Sequence, residues 1–80
     1  MCKLIVESVN DGLIPSEKVV RISSPTGGFE ELSLSTRQIS DQSIDAAEIT
    51  RQDDRVLVEL PRETASGRWR IWVDIKRVRG

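Results

Sequence analysis

The residue types that usually transfer protons or bind metals are scarce in this chain. Its 80 residues include no histidine and no tyrosine, and Cys2 is the single cysteine. Histidine is the side chain whose charge changes near neutral pH, and a cysteine nucleophile needs an activating neighbour. We expect Cys2 to lie at a frayed terminus without a fixed partner. No catalytic residue is therefore predicted, and the chain is expected not to be an enzyme.

Two segments resemble binding motifs but lack the residues that those motifs need. The segment from Asp41 to Asp45, which has an aspartate at each end, has neither the glycine nor the distal glutamate of a calcium loop. The segment from Ser24 to Gly28 has two glycines but no P-loop lysine, and its Pro25 and glycines predict a turn. We therefore predict no metal site and no cofactor.

Trp72 is the residue whose placement most needs an explanation. Apolar and polar residues alternate from Arg68 to Lys76, with Trp69, Ile71 and Val73 on one face. If that face is the core, Trp72 points outward between charged residues and beside Leu57. It is then covered by another part of the chain, or anchors a protein contact, or stacks on the bases of a single-stranded nucleic acid.

The predicted binding surface surrounds this tryptophan and consists of Leu57, Arg68, Arg70, Trp72 and Lys76. Tryptophan and arginine dominate the energetics of protein interfaces, so the leading hypothesis is a non-enzymatic binding or assembly module that contacts a protein partner or a second copy. The alternative is a small nucleic-acid-binding β-barrel that uses the basic C-terminal strand, with Arg77 and Arg79 added. A sequence pI of 5.4 weighs against this alternative.

The first half of the chain predicts strands separated by turn residues. Asn10-Asp11-Gly12 predicts a turn, and the segment around Pro15, from Leu13 to Glu17, predicts a loop. The strands expected around them are Lys3–Val9, Lys18–Ser23 and Phe29–Ser35. No internal repeat is evident.

The segment near 41–47 allows two interpretations. Ser40 or Asp41 could cap a short helix that carries Ile44 and Ala47. The other interpretation, which we favour, is a turn at 41–43 followed by a strand through Arg51.

The final third of the chain predicts an antiparallel hairpin with a definite register. Aligning the two alternating runs pairs Leu60 with Trp69, Val58 with Ile71 and Val56 with Val73 on one face. On the other face the same register pairs Glu59 with Arg70 and Arg55 with Asp74. One register therefore gives apolar pairs on one face and pairs of opposite charge on the other. A preceding hairpin that turns at Asp53-Asp54 is expected to place Ile49 opposite Val58 and Glu48 opposite Glu59.

These elements predict one domain, 1–80, of the all-β class. We expect a five- to six-stranded antiparallel barrel or roll, SH3-like in first place and OB-like in second. No run approaches the roughly 18 apolar residues of a membrane span, so we expect no membrane partner and a cytoplasmic protein. The predicted core consists of Val20, Ile22, Leu32, Leu34, Ile49, Val56, Val58, Leu60, Trp69, Ile71 and Val73.

Overall fold

Antiparallel β-strands dominate the structure, a computed structural model that describes residues 1–80. The predicted third strand has the bounds expected for it, and the segment near 41–47 is a strand rather than a helix. Two 3₁₀ turns, Thr36–Gln38 and Ile75–Arg77, each precede a short strand. The strands are β1 (Cys2–Ile5), β2 (Ser8–Asp11), β3 (Glu17–Ser23), β4 (Phe29–Ser35), β5 (Ile39–Ser40), β6 (Ser43–Gln52), β7 (Arg55–Glu59), β8 (Arg70–Asp74) and β9 (Val78–Arg79).

The strands form two antiparallel sheets. The larger sheet has the order β8-β7-β6-β1-β9, with β5 added to β6, and the smaller one has the order β2-β3-β4. The prediction of a mainly β, antiparallel fold is confirmed. No closed barrel is found, because β8 and β9 end the larger sheet without pairing with each other.

The predicted first strand, Lys3–Val9, is divided between the two sheets. The N–H of Val6 donates to the carbonyl of Gln42 at 3.0 Å, which continues the pairing of β1 with β6. The next N–H, that of Glu7, donates to the carbonyl of Arg21 at 2.7 Å in the smaller sheet. The chain therefore passes from one sheet to the other between these two residues.

One hydrophobic core fills the space between the sheets. Most residues of the predicted core are buried. The prediction is wrong for Ile49 and Trp69, whose exposed fractions are 41% and 52%. Cys2 is also misplaced by the prediction, since it is buried rather than frayed. The buried residues that the prediction omitted are Cys2, Leu4, Val6, Ile44, Ala46 and the polar Thr64.

A β-bulge in β6 explains the exposure of Ile49. The predicted register holds from Gln52 opposite Arg55 to Thr50 opposite Leu57. It then shifts by one residue, so that Glu48, and not Ile49, lies opposite Val58. Because a bulge inserts an unpaired residue, the side-chain alternation changes at that point. The predicted clash of Glu48 with Glu59 does not arise, and Glu48 instead bonds Arg51 at 2.9 Å.

The β7–β8 hairpin has the predicted register. Val58 lies opposite Ile71, Val56 opposite Val73 and Leu57 opposite Trp72. The N–H of Leu60 donates to the carbonyl of Trp69 at 2.8 Å, which extends the same register beyond the strands.

The pairing pattern of the first half of the chain recurs in the second. β1 has β6 on one side and β9 on the other, while the start of β6 has β1 on one side and β5 on the other. The remaining strands correspond in turn, since β3 pairs with β4 and β7 pairs with β8. The two halves of the chain therefore share one order of strand pairing, a repeat that the amino-acid sequence does not display.

The two 3₁₀ turns repeat most closely. Ser35 and Asp74 cap them with side chains that accept the N–H of Arg37 and of Lys76. The first residue of each turn donates its N–H to a backbone carbonyl at an equivalent position. The Thr36 N–H donates to the carbonyl of Ser16 at 3.0 Å, and the Ile75 N–H donates to the carbonyl of Asp54 at 2.9 Å. Each turn thus bends the chain into a short strand by equivalent bonds, and the first turn adds a bond from the Ser35 N–H to the Gln38 side chain.

Gly12 is expected to be intolerant of substitution. Its N–H donates to the carbonyl of Glu17 at 3.0 Å, and a Cβ at this position would lie 2.7 Å from that oxygen. Gly12→Ala should therefore lower the free energy of unfolding by about 1–3 kcal/mol in urea titrations, the usual cost of forced crowding. Gly80→Ala, whose Cβ meets no atom within 4 Å, is the matched control. Equal stability of the two variants would contradict the expectation.

Candidate functional site: the Trp72 groove

Trp72 lies in a groove on the surface of the protein. Its exposed fraction is 36%, and it faces Leu57 across the β7–β8 hairpin. The groove has a volume of about 340 Å³ and separates β8 from the turn that joins β3 to β4. We call it the Trp72 groove, and its lining consists of Ile22, Ser23, Ser24, Pro25, Thr26, Glu30, Arg55, Leu57, Arg68, Arg70, Ile71 and Trp72.

The turn on the far side of the groove is built as its sequence predicts. The N–H of Gly27 donates to the carbonyl of Ser24 at 3.2 Å, and Gly27 and Gly28 have φ values of 95° and 74°. Glycine adopts these values without steric cost. The tight turn holds Pro25 and Thr26 at the groove.

The predicted binding residues are brought together with one exception. Leu57, Arg68, Arg70 and Trp72 all line the groove. Lys76 does not line it, because it belongs to the second 3₁₀ turn, where its N–H donates to Asp74 at 2.9 Å. The period-two alternation that placed Lys76 beside Trp72 ends where this turn begins.

Two of the groove's arginines lie close to carboxylates. The Arg70 Nε lies 3.1 Å from a carboxylate oxygen of Glu59, the pair that the register predicted. The Arg68 Nε lies 3.7 Å from a carboxylate oxygen of Glu30. Arg55 stands opposite Asp74 in the register but forms no ion pair with it. The positive charge of Arg68 and Arg70 is thus largely balanced within the chain.

The sequence analysis missed the groove residues that come from other elements. Arg55 could have been found, since it shares the outward face of β7 with Leu57. Glu30 and the turn residues Pro25 and Thr26 carry no such signal, because only the packing of the two sheets brings them near Trp72.

Trp69, the other tryptophan, lies outside the groove. It precedes β8 and is 52% exposed, whereas Thr64 of the preceding loop is 4% exposed. Thr64 makes two bonds that close this loop. Its N–H donates to the backbone carbonyl of Arg68 at 2.9 Å, and its Oγ1 accepts the backbone N–H of Arg68 at 3.1 Å. The loop rather than Trp69 therefore supplies a buried side chain beyond the hairpin.

The outer edge of β8 has unused backbone groups. Trp69 and Ile75 direct their backbone groups toward β7. The Trp69 carbonyl accepts the Leu60 N–H, and the Ile75 N–H donates to the Asp54 carbonyl. Because antiparallel strands alternate, Arg70, Trp72 and Asp74 direct their N–H and C=O groups away from β7. β8 pairs with no other strand, and neither Arg70 nor Trp72 takes part in a backbone bond outside the strands. The Asp74 carbonyl accepts the Arg77 N–H that begins the second 3₁₀ turn, so at Asp74 only the N–H is unused. Trp72 thus combines an exposed ring with an unpaired strand edge.

The equivalent strand of the first half, β4, has its outer edge covered. The loop that follows β7 lies along it, with the Ala65 N–H donating to Glu31 at 2.7 Å and the Arg62 guanidinium donating to the carbonyl of Ser33 at 3.1 Å. By the repeat, Glu31 and Ser33 correspond to Arg70 and Trp72. The shorter turn from Ser24 to Gly28 makes no such bond to β8.

The bond from Ala65 to Glu31 can be removed selectively. Ala65 is the second residue of a turn closed by the bond from Gly67 to Thr64, and proline is favoured at such a position. Ala65→Pro should therefore delete one hydrogen bond and cost about 0.5–1.5 kcal/mol in thermal or urea unfolding. Ala65→Ser, which keeps the N–H, is the control. An unchanged stability of the proline variant would mean that the loop is held by its other contacts alone.

Cys2 is a buried thiol. It donates to the Ala46 carbonyl at 3.3 Å, and its burial raises the pKa of the thiol. A raised pKa lowers the fraction of reactive thiolate. No cluster of three or more potential metal-ligating side chains is present, and no helix is long and apolar enough to cross a membrane.

A second cleft, of about 410 Å³, lies on another part of the surface. It is bordered by Met1, by the first 3₁₀ turn and by the chain around Leu60, and no aromatic side chain lines it. It lacks an anchoring ring, so the Trp72 groove remains the candidate site.

Comparison with known protein families, with curated proteins and with solved structures finds no match to this chain.

Proposed function

We propose that this chain is a non-enzymatic binding or assembly module, and that the Trp72 groove is its protein-contact surface. The observation that carries the proposal is the combination at one place of an exposed tryptophan and a free strand edge. Free edges accept a further strand through main-chain hydrogen bonds, while a neighbouring side-chain pocket supplies specificity. A tryptophan at the centre of a contact is a common energetic anchor.

Within this proposal the fold is an SH3-like roll, and the protein works in the cytoplasm. The support for the fold is the chain order of β6, β7 and β8, followed by a 3₁₀ turn and a last strand beside β1. Fold resemblance alone licenses no function, so the proposal rests on the groove.

The nucleic-acid alternative is disfavoured by the charges around Trp72. A polyanion needs arginines that are available to its phosphates. Arg68 and Arg70 already face Glu30 and Glu59, and an oligonucleotide would have to displace these carboxylates or tolerate them. Nucleic-acid binding is therefore the less favoured function, and the experiment below includes it as a possible result.

The experiment compares Trp72→Ala with Trp69→Ala, a matched loss of an exposed tryptophan outside the groove. Peptide ligands are selected from a displayed library against the parent protein, and self-association is measured by light scattering over a concentration series. Trp72→Ala should weaken peptide binding or self-association at least ~tenfold, a modest value for an interface anchor. Trp69→Ala should leave both unchanged.

Three outcomes would contradict the proposal. The first is that neither peptide binding nor self-association exists, and the second is that both variants behave alike. The third is that a fluorescent single-stranded oligonucleotide binds the parent and loses affinity in Trp72→Ala, which would support the nucleic-acid alternative. Circular dichroism of each variant confirms that a lost interaction is not a lost fold.

A further inference from the structure

The free edge of β8 has a charge pattern that is complementary to itself. Along the outward face, Arg70 stands two residues before Trp72 and Asp74 two residues after it. An antiparallel copy of the same strand, paired about Trp72, therefore faces Arg70 with Asp74 of the second copy, and Asp74 with its Arg70. The two Trp72 side chains face one another at the centre. Opposite charges and aromatic pairs are favourable at such cross-strand positions.

We propose that the partner of this edge is a second copy of the chain, joined by β8 to β8 pairing across a two-fold axis at Trp72. This inference rests on the proposed function and specifies its partner. A two-fold interface uses the same surface on both chains, so it requires a self-complementary patch, which this strand provides. The two larger sheets then become continuous.

The backbone fits this register as well as the charges do. The three residues that direct N–H and C=O groups outward, Arg70, Trp72 and Asp74, are those that the register places opposite one another. In an antiparallel ladder each such pair exchanges two hydrogen bonds. The central Trp72 pair has both bonds available, while the Asp74 carbonyl, which already accepts the Arg77 N–H of the 3₁₀ turn, would use its second lone pair. The guanidinium of Arg70 has five N–H donors, so its contact with Glu59 leaves donors for the second copy.

A register moved by two residues is less favourable. It would pair Arg68 with Asp74 of the second copy and Arg70 with the second Trp72. The backbone N–H and C=O of Arg68 are already bonded to Thr64, so this position cannot extend the ladder. Moving the register the other way would bring Arg70 opposite Lys76, which carries a like charge and lies in the second 3₁₀ turn, where it cannot extend the ladder. The register centred on Trp72 is thus selected by both charge and hydrogen bonding.

The equivalent strand shows why this edge is available. β4 carries the same alternation of outward groups, but Ala65 and Arg62 of the loop after β7 already bond its Glu31 and Ser33. The corresponding turn before β4 is too short to reach β8 in this way, and it leaves the Trp72 groove in its place. The second copy would occupy the edge of β8 as the loop occupies the edge of β4.

The first test uses the unmodified protein. Light scattering over a range of concentrations should show a monomer that becomes a dimer. Amide hydrogen exchange should show protection of the Trp72 N–H that increases with concentration, because this group lacks a partner in the monomer. The N–H groups of Ile71 and Val73 face β7 and should be protected at every concentration. A protein that remains monomeric throughout, or a dimer without protection of Trp72, would overturn the proposal.

The second test exchanges the charges. Arg70→Glu leaves two acids on the edge, and Asp74→Lys leaves two bases, so each variant alone should dimerise at least ~tenfold more weakly because like charges meet. A mixture of the two variants restores both opposite pairs and should form a heterodimer with affinity near that of the parent. Variants that dimerise like the parent, or a mixture that does not recover, would contradict the register.

Neutral variants and a comparison with peptide binding distinguish a failure of this inference from a failure of the proposed function. Arg70→Gln and Asp74→Asn remove the charges without reversing them, and they replace the charge-reversed variants if circular dichroism shows that those are unfolded. Each should weaken the dimer less than the corresponding reversal, and equal dimerisation by the neutral variants and the parent would count against the charge pairs. If the parent is monomeric but Trp72→Ala still abolishes peptide binding, this inference fails and the proposed function stands.

Discussion

Replacement of Leu4 by alanine is expected to lower the free energy of unfolding by about 2–5 kcal/mol. Leu4 is fully buried, and it lies opposite Ile44 in the β1–β6 pairing and opposite Val78 in the β1–β9 pairing. Deleting its isobutyl group removes buried apolar area and leaves a cavity where the two halves of the repeat meet. An 80-residue domain has a total stability of about 4–12 kcal/mol, so this loss is a large part of it.

The measurement is a denaturant titration of the parent and of Leu4→Ala, supported by a thermal scan. The thermal midpoint should fall by about 10 °C or more, given the usual relation between stability and midpoint in a domain of this size. Leu13→Ala is the matched control, because Leu13 is 98% exposed and its truncation should stay within about 0.5 kcal/mol of the parent. Similar losses in the two variants would show that burial does not decide the effect.

Ile71→Ala is expected to be more damaging than Trp69→Ala, although tryptophan is the larger residue. Ile71 is 7% exposed and pairs with Val58 inside the core, whereas Trp69 is 52% exposed and precedes the strand. Truncation of Ile71 should cost about 2–5 kcal/mol because it leaves a cavity. Truncation of Trp69, which is about half exposed, should cost about 1 kcal/mol, the central value for point substitutions in general.

Urea titrations of both variants test this order directly. The reverse order would mean that Trp69 contributes more to the stability of the fold than its exposed fraction indicates. The comparison also supports the functional experiment, since Trp69→Ala serves there as a folded control. Its stability must therefore be known before its binding is interpreted.

The amino-acid sequence by itself determined the parts of this protein that depend on neighbouring residues. The bounds of β4, the inward Leu32 and Leu34, and the register of β7 with β8 all follow from period-two alternation between turn residues. A hairpin brings together residues that are close in the chain, so its apolar and charged pairs can be aligned from the sequence alone. The outward placement of Trp72 beside Leu57 follows from that register.

Local patterns gave wrong results where the backbone departs from regular alternation. The bulge at Ile49 exposed an apolar residue, and Trp69 is exposed where the backbone bends at residues 67 and 69, just before β8 begins. The first strand alternates through Val9, but consecutive amides at Val6 and Glu7 bond different sheets. Cys2 is buried because β1 pairs with both β6 and β9, and no residue near Cys2 in the sequence indicates these partners.

The repeat of strand pairing and the free edge of β8 were decided by the tertiary structure alone. Equivalent positions share burial and hydrogen bonding rather than residue type, as Ser35 and Asp74 show at the two 3₁₀ turns. The edge of β4 is covered by Arg62 and Ala65, which are distant in the chain, while the edge of β8 has no such cover. Whether a strand edge is satisfied depends on every segment that can reach it, and this property belongs to the folded chain rather than to any stretch of its sequence.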